Sequence, residues 1–224
     1  MSTGIFPPLS PGSEHTIELP GLAVTKIVVD EKMHNNCYLL RCTSTGAQAL
    51  IDAADDAERL LRLIGPQLVT AVITTHSHWD HHRALATVVE ETAAVTVAGG
   101  PDAEEITNQT GVTIDLEVND GDIVSVGAAR LGVIRLTGHT PGSIALVYEP
   151  EGVPAHIFTG DSLFPGGVGN TFGDKDAFAT LIDDVEAKVF DEFDDACVFH
   201  PGHGDDSTLG AERPQLPQWR ERGW

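Results

Sequence analysis

Histidine and aspartate side chains crowd into one short segment that contains His76, His78, Asp80 and His81. The segment directly follows the apolar run of residues 69–74, which is typical of a buried strand. In extended backbone, residues two positions apart point to the same side, so His76 and His78 can converge on one metal ion. Asp80 and His81 come where the chain turns into a helix, and they can bind a second ion close by. Imidazole and carboxylate ligands without thiolate favour a catalytic zinc, iron or manganese site.

Three more ligand-type side chains each follow a predicted strand. They are His139 after residues 128–136, Asp161 after residues 155–159 and His203 after residues 197–199. Each lies beside or close to a glycine, which lets the backbone turn sharply. Since open α/β sheets bind ligands beyond the carboxyl ends of their strands, these strand-end positions are where further ligands are expected.

The composition is that of an ordinary globular protein: 224 residues, of which 41% are hydrophobic and 21% charged. Thirteen Lys and Arg against 34 Asp and Glu give a formal net charge of -21. Because phosphate-binding surfaces need basic groups, this balance argues against a nucleic-acid partner and against an anionic membrane surface. The expected partner is a small-molecule substrate, and a homo-oligomer is left open.

The three cysteines, Cys37, Cys42 and Cys197, form no recognisable pattern. Cys37 and Cys42 lie five positions apart in one predicted strand, so their side chains face opposite sides and are not expected to pair. Free thiols indicate a reducing compartment. The sequence shows no signal peptide and no apolar run of roughly 20 residues that could span a membrane. We therefore expect a cytoplasmic protein.

Predicted strands and helices alternate in two similar halves that no linker separates. Residues 22–29, 36–42 and 47–51 predict an antiparallel meander, and residues 81–92 and 175–190 predict amphipathic helices. Strands inside and helices outside predict an α/β sandwich of two mixed sheets. The proline-rich residues 1–18 are expected to form a loose N-terminal arm, and residues 19–224 a single domain.

Four motifs together resemble those of the metallo-β-lactamase-fold hydrolase superfamily, and most of all its glyoxalase II-like branch. They are His76-x-His78-x-Asp80-His81, Gly138-His139-Thr140-Pro141-Gly142-Ser143, Gly160-Asp161-Ser162-Leu163-Phe164 and Pro201-Gly202-His203-Gly204. The resemblance implies an αββα four-layer sandwich of two mixed β-sheets flanked by helices, with a two-metal site at the edge of both sheets. It also implies the ligands: His76, His78 and His139 for the first metal, Asp80, His81 and His203 for the second, and Asp161 as the bridge.

The activity implied by the resemblance is that of a binuclear metallo-hydrolase, a glyoxalase II-like thioesterase with two divalent ions. Zinc is the first expectation, with iron or manganese as the other options. Two ions that share a water lower its pKa toward ~7 and provide hydroxide at neutral pH. Asp80 is the expected catalytic residue, because its free oxygen can orient that hydroxide and receive its proton. A thiolate leaving group needs little protonation, which suits a site without a separate general acid.

Three residues are candidate substrate contacts. Phe164 stands where lactonases of this superfamily typically have Tyr, and Phe cannot donate a hydrogen bond to a leaving alkoxide, which favours a thioester. Arg83 stands where common members carry glycine; it could hold a carboxylate or thiol tail, or be an ordinary exposed helix residue. Asn170 stands where related sequences often carry Arg. Glutathione itself is unsupported, since authentic glyoxalase II enzymes add a basic helical domain after the last motif.

Three other functions are weighed against the thioesterase. A mononuclear iron persulfide dioxygenase would use one metal held by two His and one Asp. A lactone or other ester hydrolase would use the same fold with a different substrate. A non-enzymatic metal-binding scaffold is disfavoured because all seven ligand positions are filled. The sequence leaves open the acyl group, the thiol, the physiological metal and the oligomeric state.

Overall fold

The computed structural model describes residues 4–223, and a seven-stranded sheet forms its first half. Its strands are β1 (Glu14–Leu19), β2 (Leu22–Val28), β3 (Asn36–Cys42), β4 (Gln48–Ile51), β5 (Val69–Thr74), β6 (Val95–Gly99) and β7 (Leu116–Val118). Strands β1 to β4 form an antiparallel meander, and β4 to β7 run parallel. Both faces of β5 are covered, so it is apolar along most of its length rather than alternating.

A six-stranded sheet forms the second half. Its strands are β8 (Ile123–Val126), β9 (Ala129–Arg135), β10 (Ile144–Tyr148), β11 (His156–Gly160), β14 (Val198–Pro201) and β15 (Ser207–Thr208). They are ordered β15-β14-β11-β10-β9-β8, and only β11 and β14 pair in parallel. A separate two-stranded hairpin, β12 (Leu163–Phe164) with β13 (Gly167–Val168), lies between β11 and the next helix.

The two sheets pack face to face over one apolar layer. Leu22, Leu40 and Ile73 from the first sheet join Leu146 and Phe158 from the second, and all five are fully buried. Such packing is expected when strands from each sheet direct one row of apolar side chains inward. This layer is the central core of the molecule.

Helices cover the two outer faces. They are α1 (Ala57–Ile64), α2 (Leu85–Thr92) and α3 (Gly100–Thr110) on the first sheet, and α4 (Lys175–Val185), α5 (Leu209–Glu212) and α6 (Leu216–Arg222) in the second half. A π-helical turn, Glu186–Phe190, continues α4. With helices outside and two mixed sheets inside, the chain has the predicted αββα four-layer fold.

The segment before α2 differs from the predicted helix over residues 81–92. Trp79–His81 form a single 3-10 turn, and α2 begins only at Leu85. His82 lies between the two with its backbone outside the helical region, at φ -144 and ψ 21. The separate turn directs the ring of His81 toward the residues that follow β5, where its centroid lies 4.1 Å from that of His76.

The N-terminal residues also differ from the prediction of a loose arm over residues 1–18. Residues 1–3 lie outside the described part of the chain, but Phe6 is 4% exposed and Glu14–Leu19 pair with β2 as the sheet's edge strand. The backbone N–H of Phe6 donates to Asp206, 3.0 Å away. The arm is therefore attached to the second half of the fold.

Two further findings concern residues 4–223 alone. Cys37, Cys42 and Cys197 are buried and form no disulfide, as expected for the first two. Within the same range, none of the helices has both the length and the apolar character needed to cross a bilayer.

Candidate metal centre

The seven predicted ligands lie together at one end of the two sheets. His76 and His78 follow β5, Asp161 follows β11 and His203 follows β14. Their ligand atoms form a first set of His76, His78 and His139 and a second set of Asp80, His81 and His203, each within 4.8 Å. A third group of the same size, His76, His81 and Asp161, shares one histidine with each set. The strand ends thus bring together side chains that are far apart in sequence.

The first set consists of three imidazoles. Nδ1 of His78 lies 2.8 Å from Nε2 of His139. The ring centroid of His76 lies 4.9 Å from that of His78 and 4.8 Å from that of His139. Nε2 of His76 is buried and has no hydrogen-bond partner among residues 4–223. Nitrogen atoms of three rings therefore converge in the first set.

The second set contains two imidazoles and a carboxylate. Nε2 of His81 lies 3.2 Å from Nε2 of His203. Oδ2 of Asp80 lies 3.3 Å from the His203 nitrogen and 3.6 Å from the His81 nitrogen. Nitrogens bound to zinc at 2.0–2.1 Å in a tetrahedral arrangement are about 3.3 Å apart, so these separations suit a shared cation.

The carboxylate of Asp161 lies between the two sets. Its Oδ2 is 3.3 Å from Nε2 of His203 and 3.7 Å from Nε2 of His139. Its Oδ1 is 3.4 Å from Nε2 of His81, and no described residue forms a hydrogen bond with that buried oxygen. One carboxylate is thus within reach of cations in both sets.

Four of the five histidines are oriented by a contact on their other nitrogen. Nδ1 of His76 lies 3.0 Å from Oγ1 of Thr75, and Nδ1 of His81, His139 and His203 lies 2.8 Å from Asp52 Oδ2, the Asn170 carbonyl and the Met33 carbonyl, respectively. Because carboxylate and carbonyl oxygens only accept, the last three Nδ1 atoms donate and the Nε2 atoms of these rings face the site. The donor set and the unpartnered buried atoms therefore fit divalent metal ions.

Protonation in the metal-free protein differs between the two sets. Burial lowers the pKa values of His76, His78 and His139, which keeps these rings neutral and able to ligate. Burial acts in the same direction on His203, but Asp161 and Asp80 outweigh it and raise its pKa to about 9. Without metal, His203 therefore holds a proton that a bound cation would displace.

The acidic ligands show the complementary effect. Burial disfavours the charged form of Asp161, yet the adjacent His81 and His203 hold its pKa well below the usual range. His81 in turn has a raised pKa despite burial, because Asp161 and Asp52 face its ring. The carboxylates therefore stay ionised and available to a metal at neutral pH.

Two buried aspartates that the sequence analysis missed hold the loops of the site. Asp52, which follows β4 with φ 56, accepts from the Thr75 N–H at 2.8 Å and from His81. Asp102, in the first turn of α3, accepts from the Ser77 N–H at 2.9 Å and the Gly142 N–H at 2.7 Å. The sequence contained a usable indication for Asp52, because this aspartate directly follows an apolar strand. It contained no such indication for Asp102, which lies in helix α3.

Only glycine fits at position 202, because the backbone there lies against two of the predicted metal ligands. A side-chain Cβ at this position would collide with Oδ1 of Asp161 and with the ring of His81. The Gly202 N–H donates to the Gly160 carbonyl at 2.8 Å, which holds the His203 turn against the end of β11. The motif's glycine thus brings two ligand-bearing loops into contact.

A second buried network lies behind the His203 loop. Nζ of Lys26 lies 2.9 Å from Oδ1 of Asp206 and 2.7 Å from the Gly204 carbonyl, and Lys26 is 2% exposed. Nδ1 of His200 lies 3.0 Å from Oδ2 of Asp206. Burial opposes ionisation of Asp206, but His200 and Lys26 lower its pKa to about 2. The loop carrying His203 is therefore tied to β2 by a buried ion pair.

His156 extends this network. Its Nδ1 lies 2.9 Å from Nε2 of His200, and the two rings stack with centroids 5.2 Å apart. Burial, with a smaller effect of His200, lowers the pKa of His156 to about 4. The ring is therefore neutral in the folded protein near neutral pH.

The three predicted substrate contacts have different surroundings. Phe164 lies at the site, with its ring centroid 6.4 Å from that of His203. The carbonyl of Asn170 accepts from His139, which places Asn170 beside the first set. The guanidinium of Arg83 lies 2.8 Å from Asp30 and 4.9 Å from the ring centroid of Trp79, so intramolecular contacts hold it. Substrate binding by all three stays a prediction.

The fold and the site together define a class of protein: an αββα sandwich with His/Asp clusters suited to metal ions where strands of both sheets end. The chain belongs to the metallo-beta-lactamase superfamily, whose sequence model matches residues 31–204. It is a metal-dependent hydrolase of that fold.

Three similar proteins illustrate the relationship. "Hydroxyacylglutathione hydrolase GloC" of Haemophilus influenzae is 29% identical over 86% of this chain and 96% of its own length. ETHE1 from Myxococcus xanthus superposes with a TM-score of 0.75 at 25% identity, over 88% of this chain and 84% of that one. TTHA1623 in a di-iron-bound form gives a TM-score of 0.65 at 28% identity, over 84% and 96%. The chain spans about half the length of two other hydroxyacylglutathione hydrolases that it matches.

Proposed function

We propose that this protein hydrolyses a small acyl-thiol ester with two divalent metal ions. The observation that carries the proposal is the position of Asp161, whose carboxylate lies 3.3–3.7 Å from ring nitrogens of both histidine sets. The likeness to hydroxyacylglutathione hydrolase GloC over 96% of that protein's length supports a thioester as the substrate class.

Divalent ions held in such a site supply a low-pKa water as nucleophile and polarise the substrate carbonyl. The chain's own residues would do the rest. His76, His78 and His139 would hold one ion, Asp80, His81 and His203 the other, and Asp161 would bind both. Asp80 would also receive the proton of the attacking water at the oxygen that ligation leaves free.

The side chain of Phe164 favours a thioester over a lactone. Its ring lies near His203 and has no hydroxyl to protonate a leaving alkoxide. A thiolate is a better leaving group at neutral pH, because the parent thiol has a pKa near 8.5. Hydrolysis of a thioester therefore needs no further acid from this part of the site.

The metal and the cellular setting form part of the proposal. Zinc fits the nitrogen-rich donor set, and the di-iron form of the similar TTHA1623 makes iron the principal alternative. The three unpaired cysteines favour a reducing compartment, so we propose a cytoplasmic enzyme acting on a small molecule.

A mononuclear iron persulfide dioxygenase is the second candidate, because His76, His81 and Asp161 also form a cluster of two His and one Asp. Metal analysis of the purified protein, followed by a panel of thioesters, lactones and a glutathione persulfide, separates the two. We expect two metal ions per chain and fastest turnover of a thioester. One iron per chain with sulfite formation, or a lactone as the best substrate, would overturn the thioesterase.

A further inference from the structure

Phe172 is an exposed aromatic residue with an unfavourable backbone conformation. It is 70% exposed, and its φ of 56 places it in the left-handed region. A residue with a bulky side chain rarely adopts this conformation, which is strained for residues other than glycine. Strained positions of this kind persist only where the surrounding structure holds them, and they cluster at active sites and ligand-binding positions.

The ring of Phe172 stands over the first histidine set. Its centroid is 5.6 Å from that of His78, in an edge-to-face arrangement, and 6.1 Å from that of His139. Most of the ring nevertheless remains open to solvent. Phe172 thus presents apolar surface directly beside two metal-ligand candidates.

The loop that holds Phe172 is fixed to the site at several points. The Asn170 carbonyl accepts from Nδ1 of His139 at 2.8 Å, and Oδ1 of Asn170 accepts from the Phe172 N–H at 2.7 Å. The Asp174 N–H, which belongs to the residue capping α4, donates to the Thr171 carbonyl at 3.0 Å. The strained position is therefore maintained by the same residue that orients His139.

The loop also packs tightly against the predicted bridging ligand. A Cβ on Gly169 would collide with the carbonyl of Asp161, so only glycine fits there. Gly169 also donates its N–H to the Ser162 carbonyl at 3.1 Å. This close fit fixes the position of the ring relative to the metal ligands.

We propose that Phe172 determines specificity by binding an apolar group of the substrate next to the first metal. The inference rests on the proposed thioesterase function and adds that the preferred substrate carries a hydrocarbon or aromatic substituent. Covering the exposed ring removes apolar area from water, which favours larger substituents over a methyl group. That substituent belongs either to the acyl group or to the thiol, and the two sources can be tested separately.

The test measures binding of product-like probes to the zinc-loaded protein by calorimetry. Acetate is compared with phenylacetate for the acyl side, and 2-mercaptoethanol with 2-phenylethanethiol for the thiol side. Phe172→Ala removes the ring. Phe172→Asn also removes it but suits the left-handed backbone, so it separates the ring from the strain. Leu68→Ala is the matched control, because Leu68 is equally exposed, at 68%, but precedes β5 at its opposite end.

In the wild-type protein and in Leu68→Ala we expect the phenyl probe of one series to bind about tenfold more tightly than its small counterpart. In both Phe172 variants this preference should fall below about threefold. An unchanged preference in Phe172→Ala, or no preference in either series of the wild type, would overturn the inference. If the phenyl preference depends on Phe172 but no thioester is hydrolysed, the proposed reaction fails and the specificity contact stands.

Discussion

The side-chain amide of Asn35 donates to Oδ2 of Asp80 at 3.0 Å and to the backbone carbonyl of the same residue at 3.1 Å. Asn35 is fully buried and also pairs with His203 in an isolated β-bridge. One residue between β2 and β3 therefore orients a carboxylate of the second ligand set and contacts the loop of a histidine in that set. Asp80 is the predicted proton acceptor, so its orientation bears directly on turnover.

Asn35→Ala should lower kcat by about 10- to 100-fold, the usual effect of removing a residue that orients a metal ligand. Steady-state kinetics with a thioester and metal analysis on the same sample measure the effect. Asn108→Ala, on the exposed side of α3, is the control and should be unchanged. Wild-type kcat in Asn35→Ala would show that Asp80 does not depend on this hydrogen bond.

Asp161→Ala should lose both metals while the fold remains assembled, because the same carboxylate faces both ligand sets. We expect activity to fall by at least about three orders of magnitude. Mass spectrometry for metals and circular dichroism together check this result, with Asp176→Ala as an exposed control. A variant that keeps two metals and full activity would contradict the bridging role.

Lys26→Met should destabilise the protein by about 3–5 kcal/mol, because it leaves the Asp206 carboxylate buried without its cation. The additional change Asp206→Asn removes that charge and should restore part of the loss. Urea unfolding of the single and double variants measures both effects, with Lys32→Met as an exposed control. Equal stabilities of Lys26→Met and wild type would show that the ion pair contributes nothing.

Stability should fall as the pH decreases from 6.5 toward 4 through protonation of His156. Its pKa is about 4 in the folded protein against 6.5 in the unfolded chain, so the unfolded state binds the extra proton in this window. The full shift corresponds to about 3 kcal/mol, present above pH 6.5 and lost below pH 4. Urea unfolding at pH 7 and pH 4.5 should show a steeper loss for wild type than for His156→Gln. Parallel losses in the two proteins would refute the assignment.

Arg83→Ala tests the predicted substrate contact. A contact with the substrate predicts that KM rises more for an anionic thioester than for a neutral one of the same size. Arg83 also contacts Asp30 and Asp55, at 2.8 and 3.4 Å. If its role is to support the loops that carry these aspartates, its removal should change KM equally for charged and neutral thioesters. Equal changes in KM for the two thioesters would assign Arg83 to the support of those loops.

Sequence rules that use only neighbouring residues were sufficient to predict the positions of the candidate ligands that follow strands. Alternation of side chains in extended backbone brought His76 and His78 to one side, and glycine-flanked strand ends located His139, Asp161 and His203. The same rules did not predict where α2 begins. The helical spacing of Leu85 and Val88 does not show whether His81 and His82 belong to the helix. These rules also failed for Phe6, whose burial depends on residues about 200 positions away.

The sequence by itself determined the residue types of the predicted metal ligands, the two-sheet architecture and the family, because these depend on residue identity and short-range periodicity. Only the tertiary structure decided that Asn35, Asp52 and Asp102 orient the site, that Lys26 and Asp206 form a buried pair, and that Phe172 stands over the first histidine set. Each of these contacts joins segments that are remote in sequence. Strand order and packing decide which segments meet, and no local sequence pattern specifies them.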